Sequence, residues 1–154
     1  MPRMIPAASD SFIVEHVSWL GKRQALHAVR RAVFIEEQRV PEHLEWDEED
    51  ERACHVLATS LQGAPIGTGR LKQDCYIGRM AVLQEWRGRG VGRMMLRTLL
   101  DIAQKHGCSV VRLHAQTHAI EFYARFGFSA FGDKFDEAGI PHRQMELRLA
   151  QAPR

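Results

Sequence analysis

The sequence has few cysteines, little net charge and no long hydrophobic run. No stretch of roughly 18 consecutive apolar residues occurs, so we expect no transmembrane helix. The first ten residues, MPRMIPAASD, lack the apolar segment of a secretory signal peptide. A formal net charge of +2 is too small to make nucleic acid the default partner. We therefore expect a cytoplasmic protein with neither a membrane span nor a nucleic-acid partner.

The three cysteines are odd in number, widely spaced and free of any Cys-x-x-Cys pair. This pattern predicts reduced thiols in Cys54, Cys75 and Cys108, with no disulfide and no metal site. Cys75 is an imaginable nucleophile, but its neighbours KQDCYIG offer no obvious base. We therefore expect Cys75 to be a buried small residue.

Hydrophobic periodicity predicts alternating strands and helices in the order β-α-β-β-β-α-β-α-β-β. The first helix is predicted over 22–38, and a longer helix follows the glycines at 88–92 until Gly107 ends it. The order indicates a single α/β domain over 1–154, with a core at about 12–149 and loose ends at 1–10 and 150–154. We expect a central sheet flanked by helices.

Two connecting segments admit further interpretation. The acidic run EWDEEDER is either a solvated loop, which we favour, or a surface that attracts a cationic substrate. Near the C-terminus, DEAGIP is predicted to connect two closing strands around 128–131 and QMELRLA. The oligomeric state stays open, with a homodimer as one possibility if the final strand is exposed and pairs between subunits.

Three glycines alternate with arginines in RGRGVG, between a predicted strand and a predicted helix. Backbone without Cβ atoms can approach an anion closely, and a helix N-terminus favours negative charge. The segment therefore predicts a phosphate or pyrophosphate site, against the alternative of a glycine-rich turn with solvated arginines. Neither the P-loop motif nor the dinucleotide-binding fingerprint is present, because no Gly-Lys-Ser/Thr occurs and Arg93 replaces the third fingerprint glycine.

RGRGVG resembles the R/Q-x-x-G-x-G/A motif of the GNAT superfamily of N-acetyltransferases. The resemblance extends through IGRMAVLQEWRGRGVGRMMLRTLLDIAQKHG and VVRLHAQTHAIEFYARFGF. VFIEEQRVPEHLEWDEED and EAGIPHRQM are similar to the ElaA-like branch of that superfamily. The resemblance implies a mixed sheet of about six to seven strands, with a splayed strand pair that holds acetyl-CoA.

The resemblance also implies residues for the cofactor. One strand segment would pair with the pantetheine arm, as an added strand pairs with a sheet edge, and the glycine-rich loop would hold the pyrophosphate. The strand segment comprises Met80, Ala81 and Val82; the loop comprises Arg87, Gly88, Arg89, Gly90, Val91 and Gly92. Arg93 is equally a loop candidate or a solvated helix residue. Gln116 stands where many family members have asparagine, so the contact made there is in question.

For catalysis, the resemblance assigns Tyr123 as the acid that protonates the departing CoA thiolate, since a phenol can donate to that sulfur. A protonated amine must lose a proton before it attacks, and Glu37 and His114 are our candidate bases. Glu36, His55, Asp74 and His118 are further candidates, and a water chain is an alternative.

The sequence therefore predicts an enzyme that moves an acetyl group from acetyl-CoA to an amine by direct attack, without a metal. The alternative is a non-catalytic module that binds or senses CoA or acyl-CoA. A nucleic-acid binder is disfavoured by the low net charge. The amine acceptor is not specified by the sequence.

Overall fold

The computed structural model describes residues 11–150, in which seven strands form one mixed sheet. The strands are β1 (Phe12–Val17), β2 (Cys54–Ser60), β3 (Pro65–Leu71), β4 (Tyr76–Val82), β5 (Val110–Gln116), β6 (Ser129–Glu137) and β7 (Ile140–Arg148). Their order across the sheet is β1-β2-β3-β4-β5-β7-β6. Of the predicted loose ends at 1–10 and 150–154, all but residue 150 lie outside the described residues.

Four α-helices connect these strands, and the predicted order of elements is confirmed except for one additional short helix, Glu42–Glu45. They are α1 (Trp19–Arg30), α2 (Glu42–Glu45), α3 (Val91–Lys105) and α4 (Ile120–Ala124), with 3₁₀ turns at Glu48–Glu51, Gln84–Trp86 and Thr117–Ala119. The first helix begins earlier than predicted because Ser18 caps it, accepting from the Gly21 N–H at 3.1 Å. It continues as a π-helix over Arg31–Glu37.

Helix α3 packs closely on the sheet because β3 contributes glycines beneath it. A Cβ added to Gly67 would lie 3.0 Å from Met95 Sδ and 3.0 Å from Val91 Cγ1. At Gly69 it would lie 2.9 Å from Leu99 Cδ1. Val91, Met95 and Leu99 are all buried. This packing places the N-terminus of α3 near the end of β4.

The parallel strands β4 and β5 pair only at their first residues. Tyr76 pairs with Arg112 and Ile77 with Leu113, and no later pair between these two strands is formed. Beyond Ile77, β4 is distorted: Arg79 has a positive φ of 50° and the register with β3 shifts. The predicted splayed pair is therefore confirmed.

The C-terminal hairpin differs from its prediction in two respects. The connection is not DEAGIP but a two-residue turn at Ala138 and Gly139, whose φ values of 52° and 80° suit a tight hairpin. The final strand β7 is not exposed, because it lies between β5 and β6. The edge strand at this side of the sheet is β6, so the argument for a homodimer through the final strand was wrong.

The prediction of three free thiols is also wrong. Cys75 and Cys108 form a disulfide, while Cys54 is free. Cys75 directly precedes β4 and Cys108 lies just before β5, so the parallel pairing of these strands brings the two cysteines together. Their separation of 33 residues concealed this proximity. Cysteine content consequently no longer argues for a reducing compartment.

The acidic run is not simply a solvated loop, because three of its six carboxylates form a partly buried ionic network with arginines. Arg30 is fully buried and donates to Glu45 Oε2 at 2.8 Å and to Asp50 Oδ1 at 2.8 Å. Arg70 donates to the same Asp50 oxygen at 2.9 Å. The network comprises Arg30, Arg70, Arg79, Glu45, Asp47 and Asp50. It ties the segment after the first helix to β3 and β4.

Candidate active site

A cavity of about 1650 Å³ opens where β4 and β5 diverge. Its walls come from the end of the first helix, β4, the glycine-rich loop, α4 and the turn between β6 and β7. The lining residues include Gln38, Gly78, Met80, Val82, Gly90, His114, Tyr123 and Glu137. Most of the residues assigned from the sequence therefore meet around one space.

The segment Met80–Val82 presents a strand edge to this cavity. On one side it pairs with β3, through Ala81 with Thr68 and Val82 with Gly67. On the other side β5 has diverged, so the edge does not pair with it. An extended ligand with amide groups can add to such an edge.

The glycine-rich loop leads from β4 into α3. Gly88 and Gly90 have positive φ values of 77° and 87°, and a Cβ added to either would meet no atom within 4 Å. Gly90 is the N-cap of α3, so the first N–H groups of the helix have no acceptor within the helix. Gly92 lies beneath Phe122, whose Cζ would be 3.5 Å from an added Cβ. Open space, backbone donors and a helix N-terminus suit an anion.

The arginine side chains of this loop make specific contacts. Arg87 Nη1 and Nη2 each lie 2.7 Å from one oxygen of Glu37, and its Nε donates to the Val82 carbonyl at 3.0 Å. Arg89 lies over the Trp86 ring, 4.9 Å from its centroid. The hydrogen bond from Arg87 lowers the pKa of Glu37, and the same bond raises the pKa of Arg87. The side chain of Arg87 thus connects two walls of the cavity.

Tyr123 lies on α4. Its ring packs in the core, and the residue also lines the cavity. Its ring contacts Phe122 and Phe128 edge-on, at centroid distances of 5.0 and 6.0 Å. Burial raises the pKa of Tyr123 to about 12, because the phenolate would be desolvated. The hydroxyl therefore stays protonated at neutral pH and can act as a donor.

Two sequence-assigned side chains of β5, His114 and Gln116, point to the same face of the sheet as the first helix. Gln116 and Gln38 form a reciprocal amide pair, with N···O distances of 2.9 and 3.3 Å. His118 Nε2 lies 2.6 Å from Gln116 Oε1. His114 Nδ1 lies 2.9 Å from Glu137 Oε1. The Gln116 amide is consequently engaged with protein groups on both sides.

Sequence reasoning missed three participants: Gln38, Arg79 and Glu137. Gln38 was taken only as the end of a helix, Arg79 as a strand residue and Glu137 as part of a connection. No local pattern marks them, because their partners lie 78, 32 and 23 residues away, respectively, at Gln116, Asp47 and His114.

Within residues 11–150, no group of three or more potential ligands is arranged to hold a metal ion. Across the same span, no helix is long and apolar enough to cross a membrane.

Comparison with known proteins identifies the family. The model of the acetyltransferase (GNAT) domain matches residues 20–149, which is most of the chain. The chain belongs to the GNAT superfamily. Protein ElaA of Escherichia coli is 32% identical to it over 135 residues, covering 83% of this chain and 88% of ElaA. This similarity supports the ElaA-like branch.

Two further similar proteins agree with this assignment. The uncharacterized N-acetyltransferase YjcF of Bacillus subtilis is 38% identical over 121 residues, covering 76% of this chain and 86% of YjcF. The crystal structure of an acyl-CoA N-acyltransferase from Pseudomonas aeruginosa superposes with a TM-score of 0.76 at 28% identity, covering 88% and 97% of the two chains. The protein is accordingly a GNAT-type N-acetyltransferase that depends on acyl-CoA.

Proposed function

We propose that this enzyme transfers an acetyl group from acetyl-CoA to an amine by direct attack of the amine on the thioester. One observation carries the proposal: the free edge of β4, the N-terminus of α3 and Tyr123 all border one cavity. An edge that can hold an extended arm lies next to a loop that can hold its phosphates, and a protonated phenol lies on the same wall. In acetyl-CoA an extended pantetheine arm joins a pyrophosphate to a thioester, so each of these three groups would meet one of the three features.

The residues that would hold acetyl-CoA fit its chemistry. The backbone of Met80–Val82 would pair with the pantetheine amides along the edge that faces away from β3. The N–H groups at the start of α3 would face the pyrophosphate, where the helix dipole favours negative charge. We assign Arg87 a supporting role through its side chain, because Glu37 and the Val82 carbonyl already occupy its guanidinium.

Tyr123 would serve as the acid for the departing thiolate. Its burial keeps the phenol protonated, and because Tyr123 lines the cavity, its hydroxyl would meet the reacting end of a thioester bound there. A hydrogen bond that strengthens as negative charge develops on sulfur lowers the barrier without binding the ground state more tightly.

For the base we favour His114 over Glu37. Both oxygens of Glu37 accept from Arg87, and the pKa of this carboxyl is lowered, which makes it a weak proton acceptor. His114 makes its contact with Glu137 through Nδ1, which leaves Nε2 as the second ring nitrogen for the amine.

The proposed reaction exchanges the C–S bond of the thioester for the C–N bond of an amide. His114 Nε2 removes one proton from the ammonium, and the free amine attacks the carbonyl carbon to form the C–N bond. The C–S bond then breaks, the sulfur receives a proton from Tyr123, and the second amine proton restores the phenol. The products are the acetylated amine and CoA, with one proton released to solvent through His114.

Calorimetric titration of the purified protein with acetyl-CoA tests the first step, with ATP and NAD as controls. We expect saturable binding of acetyl-CoA alone, followed by release of free thiol with at least one member of a panel of small amines, amino acids and lysine peptides. Binding without turnover across the panel would favour the alternative, a non-catalytic CoA-binding module. No binding would reject both.

A further inference from the structure

Glu137 is a half-exposed carboxylate that lines the cavity: its Oε1 contacts the proposed base, His114, and its Oε2 lies 3.6 Å from His142 Nε2. We infer that Glu137 is a positioning residue: it fixes the imidazole of His114 in one tautomer and one orientation, so that Nε2 faces the acceptor. This inference rests on the proposed function for its catalytic consequence. The contact itself is independent of any substrate.

The contact determines which ring nitrogen carries the hydrogen. Glu137 Oε1 lies 2.9 Å from His114 Nδ1. A carboxylate only accepts hydrogen bonds, so Nδ1 must be the donor. In the neutral ring, Nε2 then carries the lone pair and can take a proton. The carboxylate–imidazole pair of serine hydrolases works through the same division of roles.

The ring of His114 also contacts two aromatic residues. The rings of Tyr76 and Phe135 meet it edge-on, at centroid distances of 5.6 and 5.0 Å and interplanar angles of 80°. Phe135 in turn stacks on His142, at a centroid distance of 5.9 Å. These ring contacts limit the rotation of the imidazole, and the contact with Glu137 then determines which edge of the ring faces the cavity.

The hairpin geometry explains how Glu137 reaches this position. It is the last residue of β6, directly before the two-residue turn at Ala138 and Gly139. The Gly139 N–H donates to Asp136 Oδ2 at 3.2 Å, which supports the turn. Because β7 pairs with β5 along its length, the turn lies beside the end of β5 that carries His114.

Space for an acceptor exists next to His114. Ile77 is the last residue of β4 that pairs with β5, and its partner is Leu113. Gly78 and His114 are the next residues along these two parallel strands. A Cβ added to Gly78 would meet no atom within 4 Å. Glycine within a strand often marks close approach of a ligand. The opening lies beside the imidazole and borders the same cavity as Tyr123.

Two readouts on the full-length protein test the inference. The first is the tautomer of His114, read from long-range ¹H–¹⁵N correlations of the apoprotein and assigned with His114→Gln. We expect the Nδ1–H form in the wild type and a mixture of tautomers in Glu137→Gln. The second readout is steady-state kinetics, in which Glu137→Gln should lower kcat by roughly 10²-fold, within the range for loss of a positioned base. Acetyl-CoA affinity should not change, and Glu137→Asp should restore part of the rate.

Glu146→Gln is the matched control, because Glu146 is also a half-exposed carboxylate on this hairpin but pairs with Arg112. It should leave both readouts at wild-type values. The inference is overturned if Glu137→Gln keeps the wild-type tautomer, or if it turns over within twofold of the wild type. Should the wild type acetylate no amine, the proposed function fails, and the tautomer measurement still decides whether Glu137 positions His114.

Discussion

Arg87 and Glu37 form a two-point ion pair, with each terminal guanidinium nitrogen 2.7 Å from a different carboxylate oxygen. The third nitrogen of the same guanidinium donates to the Val82 carbonyl at 3.0 Å. One side chain thus connects the end of the first helix to the end of β4. The planar fork of arginine suits this task, because lysine offers no comparable bidentate geometry.

Glu37→Gln tests whether Glu37 is structural or catalytic. The amide oxygen can still accept from Arg87, so we expect kcat to fall by less than about threefold, whereas His114→Gln should lower it by roughly 10²-fold or more. Steady-state rates at saturating acetyl-CoA and amine compare the two variants. The reverse ranking would make Glu37 the base and remove His114 from the mechanism.

Tyr123→Phe removes the proposed acid and keeps the ring that packs in the core. We expect kcat to fall by roughly 10²-fold, with little change in acetyl-CoA affinity measured by calorimetry. Because burial raises the pKa of Tyr123 to about 12, its ionisation should not limit the rate between neutral pH and about pH 10. Normal turnover by this variant would exclude Tyr123 as the acid.

Gly90→Ala tests the anion site, and Gly107→Ala is its matched control. Both glycines have positive φ, 87° and 81°, and neither would place a Cβ within 4 Å of another atom. Each substitution should therefore cost a similar 1–2 kcal/mol of folding free energy, roughly the penalty of left-handed backbone. Only the substitution of Gly90, at the N-terminus of α3, should also weaken acetyl-CoA binding.

Chemical denaturation and calorimetry separate these two effects. We expect weaker acetyl-CoA binding in Gly90→Ala and wild-type binding in Gly107→Ala, at comparable stabilities. Equal affinities in the two variants would argue that the glycine-rich loop does not contact the cofactor.

Local patterns were sufficient for much of this fold. Apolar residues recur with a period of about 2 in Phe12–Val17, which predicts a strand, and with a period of about 3.6 in α3, which predicts a helix. The structure has both elements. The glycine-rich segment between β4 and α3 indicated a phosphate site for a local reason, since both the backbone freedom and the helix N-terminus are encoded within a few residues.

What the sequence did not reveal depends on long-range pairing. The Cys75–Cys108 bond, the Gln38–Gln116 pair and the Glu137–His114 contact all require knowledge of which strands are neighbours. The acidic run was misread for the same reason. A cluster of charges is usually solvated, but here Arg30 and Arg70 approach it from α1 and β3.

Asp50→Asn tests the importance of that ionic network for stability. Asp50 is buried and accepts from both Arg30 and Arg70, so its neutralisation leaves two buried guanidinium groups without their shared anion. We expect the free energy of unfolding to fall by about 3–5 kcal/mol, as when one partner of a buried ion pair is removed. Glu51→Gln, which changes an exposed carboxylate one residue later, should change it by less than about 0.5 kcal/mol. If Asp50→Asn lowers the free energy of unfolding no more than Glu51→Gln does, the network contributes little to stability.

The Cys75–Cys108 disulfide closes a loop that contains β4, the glycine-rich segment and α3. Closing a loop of this length restricts the unfolded chain, so reduction should lower the free energy of unfolding by about 3–4 kcal/mol. Urea denaturation with and without reductant measures the change. A variant with both Cys75→Ala and Cys108→Ala should be insensitive to reductant, whereas Cys54→Ala should respond as the wild type does. Titration of three free thiols in the unreduced, denatured protein would contradict the pairing, because the structure leaves only Cys54 free.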